Sequence, residues 1–344
     1  MGENMFQRCA LAALVSVIVL IFVGAIVRVT GAGMGCPDWP TCWGCWVPPT
    51  KVENVDFSKL DIQKFQRKAE RMGRDPQSIT RETLQKEFNP RLVWTEYINR
   101  LFTLPVGFFT LMTFVLTFGK RGGIPVVFWS SLAALLLVLV NGWMGARVVY
   151  SGLAPGVLTL HMALAFLLIG VLTYTAWRGA EVPWRVKMDG PENARKLRRM
   201  LLLLLVLVVV EGVMGSQVRE MTDAMSKHLS LPRESWNSAL ENSWLYLIHR
   251  SFSWVILLLS VGSCFFARNH QRGRLALPAK GVLAAVFAQM LLGLVMSQIH
   301  VYGWVQVLHV GLAAVLVACN LLWLLGLSRV AGVVPQTVCN LTKF

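Results

Sequence analysis

Trp94-Thr95-Glu96-Tyr97-Ile98-Asn99-Arg100 opens one long apolar run of the chain, and Trp244-Leu245-Tyr246-Leu247-Ile248-His249-Arg250 opens another. The two stretches match at Trp, Ile and Arg, with an offset of 150 residues (249 − 99). A second match follows in each case. Leu160-His161-Met162-Ala163-Leu164-Ala165 corresponds to Leu308-His309-Val310-Gly311-Leu312-Ala313 at an offset of 148 (309 − 161). Two nearly equal offsets over matched segments mark an internal repeat, and the repeat decides the architecture.

Around these stretches the 344 residues are 55% hydrophobic and only 15% charged, with a mean hydropathy of +0.55. A soluble domain of this size has no way to hide so much apolar surface, so lipid is the natural solvent. In lipid only helices and closed barrels satisfy every backbone group, and these apolar runs are far longer than barrel strands. Spans are expected near 7–29, 96–119, 124–147, 156–178, 198–219, 244–267, 278–299 and 303–327. Each is close to the roughly 20 residues that a crossing needs. The first run is long and continues straight into a loop, so no cleavable leader is expected. The expected fold is an all-α integral membrane protein, with eight transmembrane helices as two parallel-repeat four-helix bundles. Four spans per repeat is an even number, so both halves share one orientation about an axis along the membrane normal. The expected division is an N-terminal half, 1–178, with a large outer loop at 30–95, a linker at 179–197, and a C-terminal half, 198–344.

The net charge of +15 reads as topology. Lys120, Arg121, Arg178, Arg185, Lys187, Arg195, Lys196, Arg198, Arg199, Arg268, Arg272, Arg274 and Lys280 crowd the connections after spans 2, 4 and 6. The connections after spans 3 and 7 hold no Lys or Arg, and the one after span 5 is net acidic. By the positive-inside rule both termini are cytoplasmic, and the expected partners are membrane lipids, with no nucleic acid.

The large loop then lies on the outer, oxidising side. Its part from Lys51 to Arg91 is rich in mixed charge and reads as a partly helical, solvated insertion. Its beginning holds Cys36, Cys42 and Cys45 within a short turn-rich stretch. Cys36–Cys42 is the expected disulfide, because Pro37 and Pro40 favour a turn that returns the chain. A static staple and a redox role both suit it. Cys9, Cys264, Cys319 and Cys339 read as packing residues.

Spans 2, 4, 6 and 8 start on the outer face, so Asn99, His161, His249 and His309 share one depth. A single histidine near a helix end is ordinarily an interfacial anchor. Three at repeat-related positions inside a membrane read as ligands. A pair of histidines from facing helices is how a bundle holds a b-type haem, so the metal reads as haem iron. His228, His270 and His300 lie in or beside loops without repeat partners and read as solvated. Arg100 and Arg250 follow the key positions and suit haem propionates or lipid phosphates, as do Arg28, Arg147 and Arg219. Trp94, Trp244 and Trp304 read as interfacial-belt residues. Glu96, whose counterpart is Tyr246, shares a helix face with Asn99. It suits a general base pointing at the N-terminal haem position, or a carboxylate favoured by the helix dipole. Glu211 in span 5 is a weaker candidate without a repeat partner.

Thr30-Gly-Ala-Gly-Met-Gly-Cys36-Pro-Asp-Trp-Pro-Thr-Cys42, Glu96-Tyr-Ile-Asn-Arg100, Leu160-His161-Met162, Ile248-His249-Arg250 and Leu308-His309-Val310 together resemble the haem A synthase family, of the bacterial type with a loop cysteine pair. The resemblance covers nearly the whole chain except much of 51–91. It implies oxidation of a ring methyl of haem O to a formyl group, giving haem A for terminal oxidases. It implies a prosthetic haem b on His249 and His309. It also implies a substrate site in the other half with His161, a glutamate matching Glu96 needed for catalysis, and Cys36 and Cys42 as the loop pair. Haem O synthase and terminal oxidase assembly factors are the implied partners, and the bacterial inner membrane is the implied location. A homo-oligomer is compatible with it. The pattern departs at one place: the family has Glu-x-x-His at the start of span 2, and this chain has Asn99, a poor iron ligand. Glu96 and Asn99 are the candidate catalytic residues. The alternative is a non-catalytic membrane b-type cytochrome or haem carrier, for which equivalent two-histidine halves are expected. A prenyl transferase would need an Asp-rich Mg²⁺-diphosphate motif, and none is present.

Overall fold

A computed structural model describes residues 2–36, 38–58, 60–71, 75–119, 125–154, 156–227 and 235–327. Its helices are α1 (Gly2–Val29), α2 (Ile62–Arg71), α3 (Arg81–Glu87), α4 (Pro90–Leu101), α5 (Thr103–Val115), α6 (Pro125–Tyr150), α7 (Val157–Arg178), α8 (Pro191–Lys227), α9 (Trp236–Glu241), α10 (Trp244–His270), α11 (Leu277–Gln298) and α12 (Gly303–Gly326). With α4 and α5 taken as one span, 8 helical stretches are long and apolar enough to cross a membrane. Among the described residues there is no β-strand, only isolated bridges.

Several spans start earlier than expected, the first at Gly2, the second at Pro90 rather than 96 and the fifth at Pro191, and two show larger departures. The second breaks at Phe102, because Pro105 has no N–H to offer Leu101 and its ring crowds that carbonyl. The fifth, α8, runs on to Lys227, about two turns beyond the expected end at 219. Its outer extension is held by Met225, which is buried with Trp236 and Leu240 of α9 and with Tyr246 and Val301. Lys120, Arg121, His228 and Cys339 lie outside the described residues.

α1 packs on α4, α5 and α7, α5 on α6, and α6 on α7, closing a ring of four spans. α8 on α10, α10 on α11, α11 on α12 and α12 on α8 close a second ring in the same order. The rings meet where α1 touches α12, α7 touches α12 and α7 touches α8. Exchanging the halves maps this set of contacts onto itself, as a parallel repeat requires. Ile169 and Leu172 of α7, Leu197, Leu201 and Leu204 of α8, and Trp323 of α12 are fully buried in the core that this junction shares. On the perimeter Phe108, Trp129, Leu139, Leu258, Phe265 and Leu291 stay more than half exposed, the surface that lipid solvates. At one end the connections after α7 and α10 lie side by side. Arg272 Nε donates to Asp189 at 2.7 Å, and Asp189 N donates to His270 O at 2.8 Å.

At the other end the insertion is not simply solvated. Val55, Leu60, Phe65, Ala69, Ile79 and Leu84 share one core with Cys36, Cys42, Trp43 and Val93. Trp43 lies edge-on to Phe88 at 5.0 Å and tilted to Phe65 at 6.3 Å. Asp38 ties the loop together by accepting from Trp43 N at 2.7 Å and Gly44 N at 2.9 Å. Gly35 is required because any side chain there would collide with the Leu92 carbonyl of α4. Cys36 and Cys42 are joined in a disulfide. Both are almost completely buried beneath this cap, at 0% and 1% exposure. A thiolate or phosphine must reach a sulfur atom to reduce the bond. In intact membranes an impermeant reductant is therefore expected to leave Cys36 and Cys42 oxidised, and to reduce them once the protein is denatured. Mass-tag labelling before and after denaturation reads this directly, and rapid reduction of the native protein contradicts the buried cap.

Candidate functional site

His249 on α10 and His309 on α12 face each other across the C-terminal ring, their ring centroids 6.4 Å apart and their planes at 82°. Two imidazoles bound to one metal through nitrogen at about 2.0–2.1 Å would put their ring centres ~6.3 Å apart, so the observed spacing fits bis-imidazole ligation. The donor set fits haem iron better than zinc: among the described residues no three His, Cys, Asp or Glu side chains converge on one point.

The four repeat-related positions share two further features. Asn99 Oδ1, His161 Nδ1, His249 Nδ1 and His309 Nδ1 are all buried, and none makes an aligned hydrogen bond. His249 Nδ1 has Glu211 Oε1 within 3.1 Å; what the four equivalent places share is a polar side chain buried between helices, which is costly in a membrane span without a task. Each position also faces a glycine on the preceding span. A methyl built on Gly24 of α1 would meet Asn99 at 3.8 Å, and one on Gly145 of α6 would meet His161 at 3.8 Å. One on Gly215 of α8 would meet His249 at 3.1 Å, and one on Gly293 of α11 would meet His309 at 3.9 Å. Glycine leaves the key side chain room between closely packed helices, at a cost of about 1 kcal/mol in helix propensity. These glycines are the residues that sequence reading missed, although the signal was present. Gly24 and Arg28 recur as Gly215 and Arg219, and Asn141 and Gly145 recur as Gln289 and Gly293.

Glu96 does not face the N-terminal haem position as the sequence reading expected. It is 3% exposed, with one oxygen on the cysteine loop and the other on Arg100. Oε1 accepts from Arg100 Nη2 at 2.7 Å, and Oε2 accepts from Cys36 N at 2.7 Å. Arg100 is likewise turned to the loop, donating to the carbonyls of Cys36 (2.9 Å), Asp38 (2.9 Å) and Thr41 (2.8 Å). The expectation of a propionate clamp is thus replaced by a clamp on the disulfide loop. The reason is geometric: α4 begins at Pro90, so Glu96 and Arg100 lie well inside it on the face against the cysteine loop, whose carbonyls and Cys36 N–H need partners. Tyr246, the counterpart of Glu96, also packs against its own outer connection. Arg250 stacks over Tyr246, with 5.7 Å from its guanidinium carbon to the ring centroid, and lies 3.7 Å from Glu241. Arg28 and Arg219 converge on Asp223 at 2.9 and 3.2 Å, and Arg219 also donates to Gln306. Two guanidinium groups on one carboxylate leave a net positive charge between the halves. Arg147 lies over Tyr150, 5.5 Å from guanidinium carbon to ring centroid.

The tightest of the four glycine contacts is the most sensitive. Gly215→Val is expected to displace His249 and lower the haem retained by the purified chain several-fold. Gly142→Val, in open space on α6, serves as the control, and equal haem contents in the two variants contradict the clearance argument.

Comparison with known proteins gives the family. The chain is similar to proteins named "Heme A synthase" from Flavobacterium psychrophilum (23% identical over 326 residues, covering 88% of this chain and 92% of the relative) and Sphingopyxis alaskensis (26% over 323 residues, 88% and 86%). The match to the protein of the same name from Nitrosomonas eutropha is 26% over 205 residues, covering 57% of this chain and 54% of that relative, about half its length. The family model of the cytochrome oxidase assembly proteins, COX15-CtaA, matches residues 7–321. Taken with the eight spans, that match makes this a multi-pass membrane protein that belongs to the COX15-CtaA family of cytochrome oxidase assembly proteins.

Proposed function

We propose that this chain is a haem A synthase that oxidises a ring methyl of haem O to a formyl group, with the N-terminal half as substrate site and the C-terminal half as prosthetic site. The observation that carries the reading is the difference between the halves: a facing His249–His309 pair at 6.4 Å in one, and Asn99 with His161 at the equivalent positions in the other. A carrier or electron-transfer cytochrome with equivalent halves would need four histidines. Haem b, held by His249 and His309, supplies one-electron chemistry within the membrane. His161 holds the substrate from one side through a single ring nitrogen. Asn99, which can both donate and accept, orients a small polar molecule on the other. Glu96 and Arg100 act as positioning residues, fastening the disulfide loop across the outer end of the substrate site and limiting water entry there. The net positive charge of Arg28, Arg219 and Asp223 suits the propionate ends of either haem. The haem O is supplied by a haem O synthase in the same membrane, and the product passes to terminal oxidase assembly. The basic connections support cytoplasmic termini, and the family resemblance supports a bacterial inner membrane as the location.

Membranes containing this chain and a haem O supply are expected to yield formyl haem on pigment extraction and chromatography. In Glu96→Gln the acceptor of two charge-assisted hydrogen bonds becomes neutral, a loss of about 1–1.5 kcal/mol per bond, so product formation should fall ~10–100-fold. The C-terminal low-spin spectrum should be retained. Haem B alone from wild-type membranes, or full activity in Glu96→Gln, contradicts the respective assignment.

Asn99→His restores the family pattern at the start of the second span. It is expected to create a second low-spin haem signal when the substrate site is filled, and to change turnover. A spectrum identical to wild type under those conditions contradicts the placement of Asn99 opposite His161.

A further inference from the structure

His249 differs from the other two histidines in what lies behind its ring. Glu211 of α8 brings Oε1 within 3.1 Å of His249 Nδ1, and among the described residues no carboxylate stands that close to His161 or His309. The carboxylate is 12% exposed within a membrane span, where an ionisable side chain is expensive unless it has a partner and a task. No Lys or Arg pairs with it among the described residues, and its Oε2 is buried without a hydrogen bond. Ser253, one turn beyond His249, places its single hydroxyl proton between Glu211 Oε1 at 2.8 Å and the His249 carbonyl at 3.0 Å, the carboxylate being the nearer acceptor. The hydroxyl therefore ties the carboxylate to the same helical turn that carries the histidine.

The repeat supplies a control. Gly24 and Arg28 correspond to Gly215 and Arg219, and by the same offset Glu211 corresponds to Leu20. An apolar residue thus suffices for the bundle at this place, and the carboxylate is an addition specific to the C-terminal half. The His249 N–H is not aligned on Glu211 in the present rotamer, but a rotation of the imidazole about its Cβ–Cγ bond aligns a donor and an acceptor that are already within hydrogen-bond distance. Leaving both buried and unjoined costs more than joining them.

We propose that Glu211 is a positioning residue for the C-terminal haem: it accepts the Nδ1 proton of His249, fixes the tautomer that turns Nε2 to the iron, and strengthens that imidazole as a donor. The inference rests on His249 being a haem ligand. Carboxylate partners of this kind orient metal-bound histidines and raise their basicity. A more basic ligand and a nearby negative charge both favour the ferric state, so Glu211 holds the midpoint potential down.

The test is redox titration of the low-spin haem in the purified, haem-loaded full chain, with its electron paramagnetic resonance recorded in parallel. Glu211→Gln should raise the midpoint potential while keeping low-spin ligation. Glu211→Leu, which installs the residue of the other half, should raise it further and broaden the resonance as the ring loses its orientation. Ser253→Ala keeps the carboxylate but frees it, and should shift the potential upward by less. Unchanged potential and resonance in Glu211→Gln overturn the proposal. Where that variant is not recovered with haem, an unchanged Ser253→Ala overturns it instead. Low-spin signals that survive in His249→Ala and His309→Ala overturn the ligand reading itself, independently of what Glu211 variants do.

Discussion

A chain crossing a bilayer must satisfy its backbone hydrogen bonds within each segment, and this constraint shapes everything else in the molecule. Helices result, and once the backbone is closed on itself only side chains between helices can carry chemistry. Room for them must be made at the helix surfaces. Here it is made by Gly24, Gly145, Gly215 and Gly293, each beside the key residue of the following span. Four glycines and four buried polar side chains at repeat-related positions mark the same pair of candidate sites from different directions.

A duplicated framework makes departures from symmetry informative. Position 99 is Asn and position 249 is His; position 96 is Glu and position 246 is Tyr; position 20 is Leu and position 211 is Glu. Each difference changes chemistry while leaving the bundle intact. The C-terminal half gains a second imidazole and a carboxylate behind it. The N-terminal half gains a charged clamp on a disulfide loop. On the proposed reading, one half holds a group permanently and the other leaves a coordination face open beneath a fastened cap.

Much of this was legible in the sequence, because hydropathy, basic connections and repeated His positions are one-dimensional signals of three-dimensional facts. The spans, the facing histidines and the Cys36–Cys42 bond follow from them. The direction of Glu96 was not legible. A helix face predicted from spacing says which residues lie together, but the helix starts earlier than hydropathy suggests, at Pro90, so this face borders the loop, and the Cys36 N–H and Arg100 each take one carboxylate oxygen. The insertion misled for a related reason. Its charges are conspicuous, whereas Phe65, Ile79 and Leu84 become a shared core only when folded against Trp43. The partnership of Glu211 with His249 needed the relative rotation of α8 and α10, which no spacing within one helix contains.

On the proposed reading the two halves are alike in frame and unlike in ligation. The most direct measurement is the number and coordination of haems in the purified wild-type chain, by pyridine haemochrome quantitation combined with electron paramagnetic resonance. One bis-histidine low-spin haem per chain is expected, with any further haem in the substrate half carrying a single histidine ligand. Two bis-histidine haems per chain would contradict it, because Asn99 occupies the position from which a fourth imidazole would have to come.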